Sequence, residues 1–398
     1  MLRTNNANWL THLYGISIVI AFVIPHTSVL FLMINPIICL FFYYLKEKTL
    51  VYRLGWIVIL SISFSLFVNV PSGIDTKAYL TAATIILYIF CFPFVGNIKP
   101  KNSYFYITFF IIFVSQITYL IRIPLLTNLL NTLYPISASD FTSMQYMEAN
   151  IASQNLLDFR MGGLYRNAND CARSLNIIMT TFIVWNYKQK AIKVFPFLFF
   201  TLYAIIITGS RTGLGIAIAS LFFYFFYNNS IPLKIKYLLI ISTFIGAIYT
   251  INRVGNSIRG LNIEEGIDVS LWTKMTTFLY YINHEDSIFK FLFGYADNTK
   301  FPMIYEGNNV MKNFDSDYGN IIFCYGFFGF FVIVLYLFSL FRHLNGQGKV
   351  FFLSTIWAIS NSFVFSYRAF FLFMLLLSPI YTEFQRDKVH NRNRENLH

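Results

Sequence analysis

The sequence is short of charge. Only 12% of its 398 residues are Asp, Glu, Lys or Arg, where a soluble globular chain carries about 25%. The shortage excludes an ordinary soluble enzyme and a charge-rich disordered tail. Cysteine is scarce as well. Cys39, Cys91, Cys171 and Cys324 each sit within or at the edge of an apolar run, so no disulfide framework is expected. There is no HExxH, no cysteine pair at metal-ligand spacing, no P-loop and no dinucleotide fingerprint, which argues against nucleotide-driven work and against a metal or other cofactor. The opening stretch MLRTNNANWL lacks a small-residue cleavage site and is expected to lead into a retained first helix.

What the chain has in abundance is apolar sequence: 56% hydrophobic residues and 20% aromatics, with a mean hydropathy of +0.57. These residues fall in blocks, and about a dozen blocks approach the ~20 residues that cross a bilayer. The expected fold class is all-α, a polytopic transmembrane bundle of about 12 helices forming one integral membrane domain over residues 1–398. Helices are expected near 9–24, 28–45, 54–70, 78–96, 104–121, 169–187, 194–209, 211–227, 237–251, 318–341, 350–366 and 368–384.

The net charge of +12 is placed like a topology signal rather than a nucleic-acid signal. With both termini on the cytoplasmic side, the inside segments carry seventeen lysines and arginines against four acids, and the outside balance is close to zero. The opposite orientation would break the positive-inside rule. Inside loops such as Tyr187-Lys188-Gln189-Lys190 are short and basic, whereas two long segments, 122–168 and 252–317, lie outside and hold most of the acids. In the second, Leu271, Met275, Phe278 and Ile282 recur at helical spacing, as in a helix lying on the membrane surface or on the bundle.

Three outer clusters hold the chemistry. In Gly162-Gly163-Leu164-Tyr165-Arg166-Asn167-Ala168-Asn169-Asp170-Cys171-Ala172-Arg173, a continuous helix would stack Arg166, Asp170 and Arg173 on one face. Such a triad is either a neutralised structural unit or, with two cations for one acid, an anion site. In Thr208-Gly209-Ser210-Arg211-Thr212-Gly213, Arg211 is either a snorkelling anchor or part of an anion site at a helix N-terminus between small residues. Arg253 and Arg259 follow the ninth helix, and several outer arginines together suit a phosphate-bearing ligand held by bidentate hydrogen bonds. In Asn313-Phe314-Asp315-Ser316-Asp317-Tyr318-Gly319-Asn320, one carboxylate suffices as a helix cap and the other is available as a general base. His284-Glu285-Asp286 is a competing cluster with the character of a solvated loop.

The order of these motifs is familiar. Gly209-Ser210-Arg211 opens a helix, a long outside loop contains Phe291-Leu292-Phe293-Gly294-Tyr295, and Asp315-Ser316-Asp317-Tyr318 leads into Tyr325-Gly326-Phe327-Phe328-Gly329-Phe330. The arrangement resembles the O-antigen polymerase and O-antigen ligase superfamily of bacterial surface-polysaccharide assembly. Ligases typically carry a histidine motif where this chain has Asp315 and Asp317, which favours the polymerase branch. The resemblance implies glycosyl transfer at the periplasmic face of the inner membrane from a glycan on undecaprenyl pyrophosphate, with no metal or cofactor. Arg166, Arg173, Arg211, Arg253 and Arg259 would hold the pyrophosphate, and Asp315 or Asp317 would be the base. Asn167, Asp170, His284 and Tyr318 would contact the glycan. Membrane lipid and a chain-length regulator are the other implied partners, and nucleic acid is not one. The rivals are the ligase and a lipid-linked oligosaccharide flippase, although no internal repeat of the transporter kind is visible.

Overall fold

The computed structural model describes residues 2–24, 52–91, 101–121, 123–133, 161–165, 168–186, 189, 191–227, 232–238, 241–242, 245, 261–262, 267–268, 278–283, 285, 287–297, 317–342, 349 and 352. The expected helices at 28–45 and 368–384, nearly all of 350–366 and much of 237–251 lie outside these residues. The described chain is mostly helical: α1 (Leu2–Val23), α2 (Tyr52–Asn69), α3 (Thr76–Cys91), α4 (Asn102–Ile121), α5 (Pro124–Leu133), α6 (Ala168–Asn186), α7 (Ala191–Ile207), α8 (Arg211–Tyr227), α9 (Ile288–Phe293) and α10 (Asp317–Arg342). Three stretches, Leu54–Ser72, Asn102–Ile121 and Tyr318–Ser339, are long and apolar enough to cross a membrane. Some of their large side chains are buried, such as Phe105 and Tyr336, while others point outward, Phe67 being 76% and Phe110 64% exposed. Lipid is as apolar as these side chains, so such surfaces need no protein cover, and helix association must come from close packing and polar contacts instead.

Contacts divide the chain into two compact units: Met1–Ile34, Ile98–Arg259 and Gly346–Ala358 form the first, and Asn35–Asn97, Gly260–Asn345 and Ile359–His398 the second.

In the first unit the hydrogen bonds reveal helix directions. Asn102, at the start of α4, exchanges side-chain bonds of 2.8 and 3.2 Å with Asn186 at the end of α6. Gln116, towards the far end of α4, donates to Cys171 Sγ near the start of α6 and to Ala204 O near the end of α7. Helices α4 and α6 are therefore antiparallel, and α4 and α7 parallel. Pairing of Thr180 with Ser220, and of Asn176 with Gly213 O, makes α8 parallel to α6. A Cβ at Gly213 would overlap Ala172, so the backbone of α8 rests directly on α6. That is what a small residue at this position permits. One end of these helices is basic, with exposed Lys101 and Lys193. The other end carries Asp170, Arg173 and the turn before α8.

Within the expected outer loop 122–168 the chain forms α5 instead of continuous loop. Leu130 packs on the Tyr119, Met161 and Ile207 cluster, and Tyr119 donates to Asn131 at 3.0 Å. Leu125, Leu129 and Leu133, four residues apart, stay exposed. This leucine stripe fits a helix lying against lipid, a role expected from the sequence for the 271–282 region. There the described residues 278–283 are helical.

The second unit is built on α2 and α10. The pairs Ser65 with Cys324 O and Gly55 with Tyr336 make them antiparallel. Helix α10 is broken at Gly326, whose φ of 69° and ψ of 177° leave the helical region. The carbonyls beside the break are claimed from outside the helix: Phe323 O accepts from Tyr295 N–H at 2.8 Å, and Cys324 O from Ala296 N–H at 2.7 Å. Cys324 O also accepts from Ser65 Oγ at 2.8 Å. Gly294, with φ of 73°, lies backbone to backbone against Cys324, as Gly326 does against Leu292. To the all-α expectation the structure adds one short antiparallel ladder, pairing Leu261 with Asp268 and Asn262 with Ile267.

Gly326 can be compared with Gly73, whose φ is also positive at 70° but whose surroundings are open. Gly73→Ala should cost about 1–3 kcal/mol of backbone strain. Gly326→Ala should cost about 1–3 kcal/mol more, because its new Cβ would overlap the Leu292 carbonyl. Thermal unfolding of the purified variants in one detergent checks the order, and an equal loss at both positions would contradict it.

Candidate functional site

The first unit joins two of the clusters singled out from the sequence. Gly209, with φ of 61°, turns the chain out of α7. Thr208 Oγ1 accepts from Ser210 N–H at 3.2 Å, and Ser210 Oγ accepts from Gly213 N–H at 3.1 Å. Ser210 is thus the N-cap of α8. The same hydroxyl donates to Asn169 Oδ1 at 2.9 Å, tying this turn to the first turn of α6. Asn176 Nδ2 completes the joint, donating at 2.8 Å to Ala172 O and at 2.8 Å to Gly213 O. Two parallel helices therefore open side by side, their N-terminal amides at the same end.

Helix α6 opens at Ala168. Arg173 lies one turn beyond Asp170, and its Nη1 meets Asp170 Oδ1 at 3.0 Å. The arginine side chain is 8% exposed and the carboxylate 18%. A guanidinium so nearly desolvated needs its partner, and a carboxylate in the first turn is favoured by the helix dipole. Arg211 is the first residue of α8, which puts its backbone at the neighbouring N-terminus. Two helix N-termini, the Arg173–Asp170 pair and the start of Arg211 lie together, an arrangement that favours an anion. Arg166, Asn167, Arg253, Arg259, His284 and Asp315 lie outside the described residues.

Beneath this site a buried hub holds the preceding segment. Gln116 Nε2 donates to Met161 O and Ala204 O, each at 3.1 Å. Ser115 Oγ accepts from Leu164 N–H at 3.0 Å, and Met161 N–H donates to Ile207 O at 3.2 Å. Gly163, with φ of 55°, lets the turn press onto Ser115 and Gln116. Tyr165 OH donates to Phe22 O at 2.6 Å. Residues 161–165 are thereby fixed to α1, α4 and α7 immediately before α6 begins.

The second unit holds Asp317 as the first residue of α10 and Tyr318, 39% exposed, with its ring edge-on to Phe330 at 6.2 Å. It also holds a polar cluster that the sequence reading passed over. Buried Asn69 donates to Ser65 O at 2.8 Å and to Gly294 O at 3.0 Å, and its Oδ1 accepts from Lys290 Nζ. Lys290 also lies 5.1 Å from the centre of the Tyr295 ring, and Tyr295 OH donates to Glu285 at 2.7 Å. Asp297, 2% exposed, accepts from Asp75 N–H at 2.8 Å. Lone amides inside apolar runs, Gln116 in Val114-Ser115-Gln116-Ile117 and Asn69 in Phe67-Val68-Asn69-Val70, were the available signal for both networks. Such groups need partners when taken out of water.

Compared with protein-family models, with curated proteins and with solved structures, the chain matches none.

The ion pair makes a direct prediction. Asp170→Asn should destabilise by about 3–5 kcal/mol, the cost of a nearly buried cation losing its counter-charge. Asp170→Asn combined with Arg173→Gln should cost less than the sum of the single changes. A double-mutant cycle by thermal unfolding checks this, and strict additivity would show that the pair is not coupled.

Proposed function

We propose that this chain is an O-antigen-polymerase-type glycosyltransferase of a bacterial inner membrane. In this reading about twelve helices cross the bilayer, both termini are cytoplasmic, and transfer occurs at the periplasmic face. The observation that carries it is the junction of α6 and α8. Two helix N-termini and the positions of Arg173 and Arg211 share one end of a membrane-type bundle, away from exposed Lys101 and Lys193. A pyrophosphate bearing a lipid and a glycan is the anion that the motif order suggests for such a place. The exposed leucine stripe of α5, anchored near the same end, suits the lipid surface beside it.

The chemistry follows from the donor. An acceptor hydroxyl attacks the anomeric carbon and a new C–O bond forms. The bond from that carbon to the pyrophosphate oxygen breaks, and its electron pair leaves with the pyrophosphate. The acceptor proton goes to Asp315 or Asp317 as general base. Charge building on the departing group is met by Arg166, Arg173 and Arg211, with Arg253 and Arg259 from the second outer loop. Asn167, Asp170, His284 and Tyr318 are assigned to the glycan. The pyrophosphate is already a good leaving group, so the reaction as proposed uses no cofactor. A chain-length regulator is the expected protein partner.

The test is the surface-polysaccharide profile of a deletion strain with and without the restored gene. A single repeat unit on the lipid core, with a ladder returning on complementation, is the expected result. Full-length polymer held on the lipid carrier would overturn the reading in favour of a ligase, and repeat units trapped on the inner leaflet in favour of a flippase. In complemented strains, Arg211→Ala should abolish the ladder at normal protein level. Arg211→Lys should lower polymer about tenfold or more, since a bidentate charge-assisted contact is lost. Wild-type polymer from Arg211→Ala would remove the pyrophosphate role.

A further inference from the structure

A groove between α4 and α7 is lined by Tyr106, Ile107, Phe109 and Phe110 on one side and by Lys193, Pro196, Phe197 and Phe200 on the other. We propose that it binds one anionic phospholipid of the bilayer, with an acyl chain in the groove and the phosphate on Lys193. Pro196 lies inside α7, where it supplies no amide hydrogen, and its ring forms part of the groove wall. The floor is a set of mutually packed rings: Phe197 lies 5.3 Å from Tyr106, 5.5 Å from Phe109 and 4.1 Å from Phe182 between centroids. The walls stay open, Phe110 being 64% and Phe200 51% exposed. Its volume of about 560 Å³ falls within the ~300–1,000 Å³ of ordinary ligand pockets.

Charge selects the occupant. Lys193 is the one charged side chain of the lining, and it is exposed with no ion-pair partner among the described residues. It stands in the first turn of α7, where the helix dipole adds to its attraction for a phosphate. Lys101 precedes α4 at the same end, but its Nζ lies 3.1 Å from His12 Nε2 on α1 and it is not part of the lining. Lys193, a basic residue beside an apolar cleft at one membrane face, is what an anionic headgroup seeks. A lysine that merely snorkels would also reach the interface, but it would show no headgroup preference tied to this groove. The groove lies at the opposite end of the helices from Ser210 and Arg173, so it stands or falls independently of the glycosyltransferase reading.

The experiment uses the full chain, delipidated in detergent and titrated by native mass spectrometry. The probes are phosphatidylglycerol, phosphatidylcholine of identical chains, and polyprenyl phosphate. The expected result is one retained phosphatidylglycerol, bound about fivefold tighter than phosphatidylcholine. Lys193→Gln should remove that preference, and Ile107→Trp, which fills the groove, should weaken both phospholipids. Lys193 is exposed, so its replacement leaves the packing intact. Equal binding of the two phospholipids would overturn the proposal. So would unchanged phosphatidylglycerol retention in Lys193→Gln, or a preference for polyprenyl phosphate over phosphatidylglycerol.

Discussion

A backbone group that leaves a helix inside an apolar layer has no water to bond, and leaving it unpaired costs several kcal/mol. This constraint organises both units. At three departures from helix among the described residues, polar groups of the protein take over the freed backbone groups. At Gly326 the carbonyls of Phe323 and Cys324 are claimed by the amides of Tyr295 and Ala296, and Cys324 O by Ser65 as well. At the turn from α7 into α8, Thr208 and Ser210 accept the amides of Ser210 and Gly213. In the 161–165 segment, Gln116 and Ser115 perform the same service from α4. At Gly326 and in the 161–165 segment the satisfying groups come from elsewhere in the unit, and at the α7–α8 turn Ser210, besides capping locally, donates to Asn169, so each of these breaks is also a junction.

Glycine makes these junctions close enough to bond. Gly294 and Gly326 sit at positive φ and lie on facing backbone, where any Cβ would overlap. Gly213 plays the corresponding role against Ala172 without unusual dihedrals. Association in lipid gains little from burying apolar surface, since lipid is itself apolar. Close backbone approach and satisfied polar groups then decide which helices meet. The Phe293-Gly294-Tyr295 and Tyr325-Gly326-Phe327 motifs, far apart in sequence, are two halves of one such contact.

That distinction explains what could be read in the sequence. Apolar blocks announce helices by composition, and α2, α4, α6, α7, α8 and α10 begin and end within a few residues of the stretches so marked. Helix α5 is not marked in this way, because ten residues with a narrow leucine stripe look like loop beside spans of twenty. Gly209-Ser210-Arg211 could be recognised as a helix opening from local chemistry alone. Its bond to Asn169 could not, since nothing in linear order says which first turn lies beside it. A continuous helix would stack Arg173 with Arg166 as well as Asp170; Arg166 lies outside the described residues, and the contact found is the pair of Arg173 with Asp170. The cluster around Lys290, Asn69 and Asp297 stayed hidden for the same reason, because its members come from residues 69, 75 and 285–297.

The placement of charge gives the first unit a direction. Asp170 and Arg173 are retained where solvent is nearly excluded, at a point where two N-terminal dipoles also concentrate positive potential. If stability alone decided, an apolar pair of similar volume would often serve as well, because desolvation offsets most of the attraction within a buried ion pair. An arginine held almost out of water is costly to keep, and its pairing with Asp170 offsets part of that cost. A more highly charged anion arriving at the same end can compete for it with bidentate geometry. Lys193 and Lys101, by contrast, remain exposed at the far end of the same helices, where a phosphate can be met without desolvating anything. The first unit thus has charge at both ends in different surroundings: the Arg173–Asp170 pair largely out of water, and Lys193 exposed beside an apolar groove. In the proposed reaction the first meets charge as it develops, and in the lipid proposal the second holds charge that is already there.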